Sequence, residues 1–289
     1  MEVNPEDVTP EYLISLKDMG ANRLSIGIQS FIDRDLRFMN RRHSAERAER
    51  SVKMAQDAGF SNITVDLMYG VPGMSLSDWE HNLEKAVGLG VPHFSAYHLM
   101  IEPKTVFGIK QKNGNFNGIP EESSVRQYRL LEEVASDSGF EHYEISNFAK
   151  GGCRAVHNSN YWKGAEYLGI GPSAHSYNGK NRFWNAANNT VYRNAWLNGG
   201  GAGAGSGEEL SVADRYNEYV MVRLRTAEGV NITELERLFG KDMKEYFVRE
   251  SAGFISSGRL SEDDGRVFIK TRDFLVSDDI ISGLFYINS

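Results

Sequence analysis

The chain has 289 residues, of which 40% are hydrophobic and 25% charged, with a formal net charge of −7 and a pI of about 5.6. This composition is typical of a soluble globular protein, and the acidic balance argues against non-specific binding of nucleic acid. No apolar run approaches the roughly 18–20 residues that a membrane-spanning helix requires. Cys153 is the only cysteine, which excludes an internal disulfide and a multi-cysteine metal site in this sequence. We therefore predict a cytoplasmic protein with one large and one small domain.

The first 150 residues alternate between short apolar stretches and amphipathic helical patterns. Met1–Pro5 is typical of the tail of a strand entering a loop, so we expect a preceding segment that this sequence does not contain. The predicted strands are 22–28, 63–68, 93–100 and 141–148, and the predicted helices are 10–19, 44–58, 77–88 and 121–138. Such alternation predicts successive right-handed βαβ units. Because no Rossmann fingerprint opens the series, an α/β barrel, whole or partial, is favoured over an open sheet.

A single carboxylate interrupts the most apolar of these strands. Asp66 lies within the run Ile63–Met68, and glycine and proline residues end that run before residue 74. Such a run is typical of a parallel strand that is covered on both faces. A carboxylate in this place must be paired, hydrated or used, and polar side chains near the carboxyl ends of parallel strands carry the chemistry of such folds.

The composition changes near residue 198, where the glycine-rich stretch 198–207 predicts a linker. The predicted segments are a partial barrel with following strands at 1–197, the linker at 198–210 and a helical, winged module at 211–289. Within the module we predict helices at 212–225, 232–239 and 242–256, and a hairpin of 258–260 with 266–271. Three helices and a hairpin resemble a winged helix. Residues 211–289 nevertheless hold 11 Lys and Arg against 14 Asp and Glu, so a structural or docking role is favoured over DNA binding.

Four polar residues lie near the ends of predicted strands: Glu2, Gln29, Asp66, and Arg41 in the loop after Gln29. Taken singly, each has a structural explanation, such as a solvated charge, a loop cap or a carboxylate bonded to backbone amides. Together along one barrel edge they predict a clamp for a polar, zwitterionic or ribose-bearing ligand. A carboxylate accepts hydrogen bonds from sugar hydroxyls, while a glutamate and an arginine pair with an ammonium and a carboxylate.

Four segments carry a resemblance to a known family: Glu2–Pro5, Asn22–Phe31, Asn40–Arg42 and Val65–Pro72. In order and spacing they resemble the radical S-adenosylmethionine enzymes of the oxygen-independent coproporphyrinogen III oxidase family, and the resemblance extends through nearly the whole chain. It implies an incomplete (β/α) TIM-like barrel followed by a small helical domain. It also implies that Glu2, Gln29, Arg41 and Asp66 contact S-adenosylmethionine, which a 4Fe–4S cluster cleaves to a 5′-deoxyadenosyl radical in that family.

The sequence departs from this family at the cluster. The family holds its cluster with three cysteines in a C-x-x-x-C-x-x-C loop and seats the cofactor against a glycine-rich segment, and neither motif is present in this sequence. Cys153 alone cannot hold an iron–sulfur cubane. We therefore expect an N-terminally truncated chain with an incomplete S-adenosylmethionine site and no radical chemistry as written. Whether the protein is an enzyme stays open at this point.

The segment His157–Trp162 carries a second motif, H-N-x-x-Y-W. A histidine beside aromatic residues is more often a packing residue than a ligand. An imidazole next to tyrosine and tryptophan nevertheless suits haem, which needs an axial nitrogen and flat apolar walls. The motif resembles the signature of the HemW branch of the same family, whose members bind haem and pass it to haemoproteins. The resemblance makes His157 the predicted haem contact, while Cys153 is interpreted as an exposed loop thiol and His98 as a pocket-lining residue.

A third motif, G-x-G-x-x-A within residues 167–175, superficially matches a dinucleotide-binding loop. The residues that follow are typical of a turn rather than of the helix that a pyrophosphate site requires. We therefore reject a nicotinamide site. No histidine has carboxylate neighbours at a spacing typical of a metal site, so no metal ligand is predicted.

The first hypothesis is a haem chaperone with a radical S-adenosylmethionine fold, which acts on haem or a porphyrin and on recipient haemoproteins and binds no nucleic acid. The alternative is an oxygen-independent coproporphyrinogen III oxidase, which converts coproporphyrinogen III to protoporphyrinogen IX by radical decarboxylation. A generic barrel enzyme, such as a metal-free lyase, would need a base and an electrophile. No lysine or second acid is placed convincingly for those roles.

Overall fold

The computed structural model describes residues 1–201 and 203–287, and the chain divides into two compact units, Met1–Arg154 and Ala155–Ser289. Ala202, within the predicted linker, and the last two residues lie outside the described part. The division falls earlier than the predicted boundaries at 197 and 210. Residues 155–197, predicted to follow the barrel as part of the same domain, therefore group with the second unit.

The first unit is built from alternating strands and helices, all of them within residues that the structure describes. Its strands are β1 (Glu2–Val3), β2 (Leu24–Gln29), β3 (Ile63–Tyr69), β4 (His93–His98), β5 (Glu141–Glu144) and β6 (Asn147–Ala149). Its helices are α1 (Pro10–Asp18), α2 (Asp33–Phe38), α3 (Ala45–Asp57), α4 (Leu76–Gly88), α5 (Val106–Lys112) and α6 (Glu121–Asp137). A 3-10 turn at Pro5–Asp7 follows β1.

The strands of the first unit form one mixed sheet in the order β1-β2-β3-β4-β6-β5. Strands β1 to β4 run parallel to one another, with Glu2 opposite Ser25 and Asp66 opposite Ser95. Parallel neighbours require crossover connections, and helices α3 and α4 lie in the connections between β2, β3 and β4. The predicted α/β architecture is confirmed.

The single strand predicted at 141–148 is wrong. The structure shows two short antiparallel strands, β5 and β6, joined by a turn at Ile145–Ser146, and β6 runs antiparallel to β4. Ile145 continues the alternation of apolar and polar residues through the turn, which is why the pattern did not reveal it. This edge of the sheet is therefore a hairpin and not another βαβ unit.

In its described residues, the second unit combines helices with two small antiparallel sheets. Its helices are α7 (Val156–Trp162), α8 (Asn189–Gly199), α9 (Val212–Leu224), α10 (Ile232–Phe239), α11 (Lys241–Ser256) and α12 (Ser277–Ser282). Its strands are β7 (His175–Tyr177), β8 (Asn181–Asn185), β9 (Gly205–Glu209), β10 (Val230–Asn231), β11 (Ser261–Asp263) and β12 (Arg266–Phe268). A 3-10 turn at Thr271–Val276 precedes α12.

Part of the predicted linker is a strand. β9 pairs antiparallel with β8, which also pairs with β7. A Cβ atom at Gly205 would lie 2.2 Å from the carbonyl oxygen of Trp184, and one at Gly207 would lie 2.5 Å from a ring carbon of Phe183. Glycine is therefore required at these positions by close packing against β8 and does not mark a flexible connection there.

The three predicted helices of the C-terminal module are confirmed by α9, α10 and α11. A hairpin is present in the sheet β10-β12-β11, but its first strand is β11 and not the predicted 258–260, because acidic residues of the predicted connection form part of that strand. Asp263 pairs with Arg266, so the hairpin turn is Asp264–Gly265. Both turn residues have positive φ, 46° and 70°, which is the requirement of a two-residue type I′ turn. The tip of the wing is acidic, which is unfavourable for contact with a phosphate backbone.

In the first unit, Gln127 of α6 holds the turn that follows β3. The side chain is 1% exposed; its Oε1 accepts from the backbone N–H of Gly70 at 2.9 Å, and its Nε2 donates to the carbonyl of Met74 at 3.3 Å. The backbone carbonyl of the same residue accepts from Trp79 Nε1 at 2.9 Å. One residue therefore fixes both the turn and the fully buried indole of α4.

Gln127→Ala removes the two side-chain hydrogen bonds and leaves the buried N–H of Gly70 without its acceptor. We expect a loss of about 1–3 kcal/mol in the free energy of unfolding, measured by urea denaturation followed by circular dichroism. Arg129→Ala, at an exposed position of the same helix, is the matched control and should stay within about 0.5 kcal/mol of wild type. Equal unfolding midpoints for the two variants would contradict this role of Gln127.

Candidate functional site

Strand β2 separates apolar from polar residues on its two faces. Its leucine and two isoleucines are fully buried, whereas Ser25, Gly27 and Gln29, which alternate with them, are half-buried. Successive side chains of a strand point to opposite faces, and directly paired residues of parallel strands share a face. Glu2, which pairs with Ser25, therefore lies on the polar face as well.

Asp66 lies beside this polar face and is held by two serines. Ser25 Oγ donates toward both carboxylate oxygens, at 3.1 and 2.9 Å, and Ser95 also donates a hydrogen bond. Burial is the largest influence and raises the pKa of Asp66 to about 6, although the two serine hydrogen bonds lower it. The charge of Glu2 raises the pKa further, and Arg23 lowers it. Two carboxylates in this place favour a ligand that brings hydrogen-bond donors or positive charge.

Gln29 and Arg41 meet around Gly27. Arg41 Nη2 donates to Asn4 Oδ1 at 3.0 Å and to the carbonyl of Gly27 at 3.1 Å. A Cβ atom at Gly27 would lie 3.0 Å from Gln29 Nε2 and 3.3 Å from Arg41 Nη2, so a larger residue would crowd both side chains. The pairing of β2 with β3 is irregular between Ile26 and Gln29, and Gln29 has a φ of 68°. The strand end is therefore bent where this cluster forms.

The structure thus gathers the four residues predicted for S-adenosylmethionine into two pairs, both beside β2. Glu2 and Asp66 supply acceptors, and Gln29 and Arg41 supply donors. This combination suits a zwitterionic, ribose-bearing ligand. The carboxylates can accept from ammonium and hydroxyl groups, and the arginine can donate to a carboxylate. The assignment of the cofactor to these four residues stays a prediction.

Sequence reasoning missed a second polar cluster in the same sheet. Arg23 donates to Thr64 Oγ1 at 2.6 Å and to the carbonyl of Cys153 at 3.1 Å. His93 is buried, its Nε2 lies 2.8 Å from the hydroxyl of Tyr143, and burial lowers its pKa to about 3. A neutral imidazole avoids repulsion with the half-buried guanidinium of Arg23, whose charge also lowers the pKa of His93. The polar residues that alternate with apolar ones on β3 and β4 were the sequence signal that could have revealed this cluster.

His157 lies on α7, which the sequence did not predict as a helix. Its side chain is exposed, and the ring of Tyr161, one turn further on, meets it edge-on with centroids 5.1 Å apart. Within the described part of the chain, no hydrogen bond engages either ring nitrogen of His157. An exposed, uncommitted imidazole next to an aromatic ring has the properties of an axial haem ligand.

The glycine motif at 167–175 has a packing explanation. A Cβ atom at Gly169 would lie 2.1 Å from the carbonyl oxygen of His175. Asn185 Nδ2 donates to the carbonyls of Gly169 and Gly171, at 3.2 and 2.8 Å. Strand β7 follows this segment instead of a helix, so the geometry of a dinucleotide-binding loop is absent there.

The cysteine interpreted as a loop thiol and the histidine interpreted as a pocket-lining residue have different surroundings. Cys153 is a half-buried thiol in a loop of the first unit. His98 packs its ring edge-on against Tyr69, with its Nε2 3.0 Å from Ser124 Oγ, and burial lowers its pKa. Among the described residues no group of three or more His, Cys, Asp or Glu is arranged to hold a metal ion. Nor does any helix in the described part have the length and apolar character needed to cross a membrane.

Comparison with known proteins identifies the family of this chain. A family profile described as the Radical SAM superfamily matches residues 1–86, and one described as the HemN C-terminal domain matches residues 210–276. The heme chaperone HemW of Bacillus subtilis is 31% identical over 280 residues, which cover 97% of this chain and 74% of that protein. The chain belongs to the HemW family.

A second HemW relative agrees with this assignment, and a solved structure shows the fold. The HemW of Lactococcus lactis is 30% identical, over an alignment that covers 97% of this chain and 73% of that protein. The Escherichia coli coproporphyrinogen III oxidase HemN, described as a radical SAM enzyme, superposes with a TM-score of 0.80 at 20% identity over 98% of this chain and 68% of that one. The predicted radical SAM fold is therefore confirmed for this HemW family member. The Radical SAM match contains Glu2, Gln29, Arg41 and Asp66, whereas His157 lies outside both profiles.

The raised pKa of Asp66 gives a test of the polar face. The folded state binds this proton more tightly than the unfolded chain, since the pKa rises from 3.8 to about 6. Ionisation therefore opposes folding, and stability falls as the pH rises through this interval. The difference between the two pKa values corresponds to roughly 3 kcal/mol at pH values above 6. Asp66→Asn should be more stable than wild type at pH 7.5 by up to that amount and differ little near pH 4, as measured by urea denaturation at both pH values.

Asp57→Asn, at an exposed carboxylate of the same unit, is the control. It should show no comparable change between pH 4 and pH 7.5. If Asp66→Asn follows the same pH profile as wild type, the carboxylate is not held in the unfavourable surroundings described above.

Proposed function

We propose that this protein binds haem and delivers it to haemoproteins, in keeping with its relatives, which are named heme chaperones. The observation that carries the proposal is the exposed imidazole of His157 within H-N-x-x-Y-W, on a chain that belongs to the HemW family. A chaperone must release its cargo. A single histidine ligand at an exposed position suits that requirement better than an enclosed site with two axial ligands.

His157 is proposed to bind the haem iron through a neutral ring nitrogen. Tyr161 flanks the imidazole, and Tyr161 in turn meets Tyr167 edge-on at 4.9 Å between ring centroids. These rings offer an apolar surface for one side of a flat macrocycle. The nitrogen that binds iron must be free of a proton, as in other histidine ligands of metals.

The polar face of the first unit is proposed to hold S-adenosylmethionine. In this proposal Asp66 accepts from the ribose hydroxyls, Glu2 meets the ammonium group and Arg41 meets the carboxylate, while Gln29 supports Arg41 around Gly27. The serine donors of Asp66 keep its carboxylate oriented, and its pKa of about 6 leaves it mostly ionised at pH 7. These roles rest on the resemblance of the motifs and on the geometry of the two pairs.

The residues of this chain do not fit a 4Fe–4S cluster. The sequence offers a single thiol, Cys153, and a cubane needs several thiolates at its iron corners. No radical step is therefore derived for these residues. The likeness to HemN, at 20% identity, concerns the fold, so it does not favour the oxidase alternative.

The proposal includes a cytoplasmic location and haemoprotein recipients. A single cysteine is usual for proteins of a reducing compartment, in which structural disulfides are rare. The acidic wing tip and the net negative charge of the C-terminal module disfavour nucleic acid as a partner.

Haem titration of His157→Ala tests the assignment. Removing the axial nitrogen should weaken binding by at least about tenfold and shift the Soret maximum, since iron–ligand bonding is lost while stacking on the tyrosines remains. The measurement is the absorbance titration of haem into wild type and variant under identical conditions.

His175→Ala is the matched control, because His175 is also an exposed histidine of the second unit. It should bind haem with the wild-type affinity and Soret position. A His157→Ala protein that is indistinguishable from wild type would remove the basis for the proposed function.

A further inference from the structure

The second unit contains a cavity that none of the motifs predicted. Its volume is about 420 Å³, within the range of small-molecule sites, and helices α9 and α10 and strands β7 and β8 contribute residues to its wall. Tyr161, Tyr167 and Tyr177 line one part of it. With Tyr219, four tyrosines line the cavity and offer flat, amphipathic surface, which suits a planar aromatic ligand.

The charged groups of the cavity are unevenly paired. Both carboxylates in the lining are engaged. Arg182 Nη1 lies 2.8 Å from Glu218, and Glu234 accepts from Arg223 at 2.8 and 2.9 Å. Glu234 also accepts from the hydroxyl of Tyr219 at 2.9 Å. The lining therefore has no carboxylate left over for further cations.

Two arginines of the lining lack such partners. Among the described residues, neither Arg215 of α9 nor Arg237 of α10 takes part in an ion pair. Arg215 is half-buried, and its Nε atom is buried without a hydrogen-bond acceptor in the described part of the chain. A buried donor of a charged group is costly to leave unpaired. The cavity thus presents the half-buried guanidinium of Arg215 and, at an exposed position of its lining, that of Arg237. Guanidinium groups without an ion-pair partner favour a carboxylate or another planar anion.

Helix α7 links this cavity to the predicted haem ligand. Tyr161 lines the cavity, and its ring contacts that of His157, which precedes it by one helical turn. A ligand held here through His157 would therefore place its periphery beside the cavity. Haem has the required parts, since it is flat, binds a nitrogen at its centre and carries two propionates at one edge.

We propose that the tyrosine-lined cavity seats the propionate edge of haem, with Arg215 and Arg237 as its carboxylate receptors. This inference rests on the proposed function and deepens it, because it names the part of the cargo that the protein recognises. The predicted consequence is selectivity: free-acid haem is preferred over a haem whose propionates are esterified. Each guanidinium presents a planar pair of donors that matches a carboxylate.

The test compares haem with haem dimethyl ester, both added from the same dimethyl sulfoxide stock to the full chain. Wild type should bind haem at least about tenfold more tightly than the diester, because two charge-assisted interactions are lost in the ester. The double variant Arg215→Gln and Arg237→Gln should lose this preference and bind the two ligands alike. Arg193→Gln, at an exposed arginine of α8 outside the cavity, should keep it.

The outcomes separate this inference from the proposed function. If neither ligand gives wild type a Soret band that His157→Ala weakens or shifts, the proposed function itself fails. If wild type binds haem through His157 but binds the diester equally well, and the double variant retains wild-type affinity for haem, the propionate site is overturned while the function stands. Circular dichroism of the double variant confirms that the fold is intact, and Arg215→Lys provides a variant that keeps the charge but not the planar fork.

Discussion

Successive residues of β2, β3 and β4 point to opposite faces of the sheet that these parallel strands form. The architecture of the first unit depends on this separation of the two faces. The apolar residues form the core, and a polar face remains, on which Asp66 is the critical member. Its burial is unfavourable, as its raised pKa indicates, and the hydroxyls of Ser25 and Ser95 offset only part of that penalty. A buried carboxylate that lowers the stability of the fold is typical of a ligand site.

The cavity of the second unit differs from this polar face in its electrostatic character. The carboxylates there are taken by Arg182, Arg223 and a tyrosine hydroxyl, so Arg215 and Arg237 are left for a ligand. The first unit thus offers both acceptors and donors, as a zwitterionic, hydroxyl-bearing molecule requires, and the second offers donors to an anion. Two chemically distinct ligands, S-adenosylmethionine and haem, agree with this division.

Much of the first unit could be predicted because its signals are local. The strand at Ile63–Met68 was predicted to within one residue of β3, since glycine and proline mark its end. The hairpin of β5 and β6 was missed because its turn keeps the alternating pattern, and β9 was missed because its glycines, which serve close packing, imitate a linker. The cavity arginines could not be found from sequence at all. Which charges remain unpaired is decided by contacts between distant segments, such as Arg182 with Glu218.

The central claim is that haem is bound by the second unit through His157. Anomalous scattering at the iron edge, measured on crystals of the haem-loaded protein, tests it most directly because it locates the metal without assumptions about the fold. The account predicts one iron peak at bonding distance from a ring nitrogen of His157, with the propionates directed toward Arg215 and Arg237. An iron peak beside Cys153 or His98, with His157 unoccupied, would contradict it.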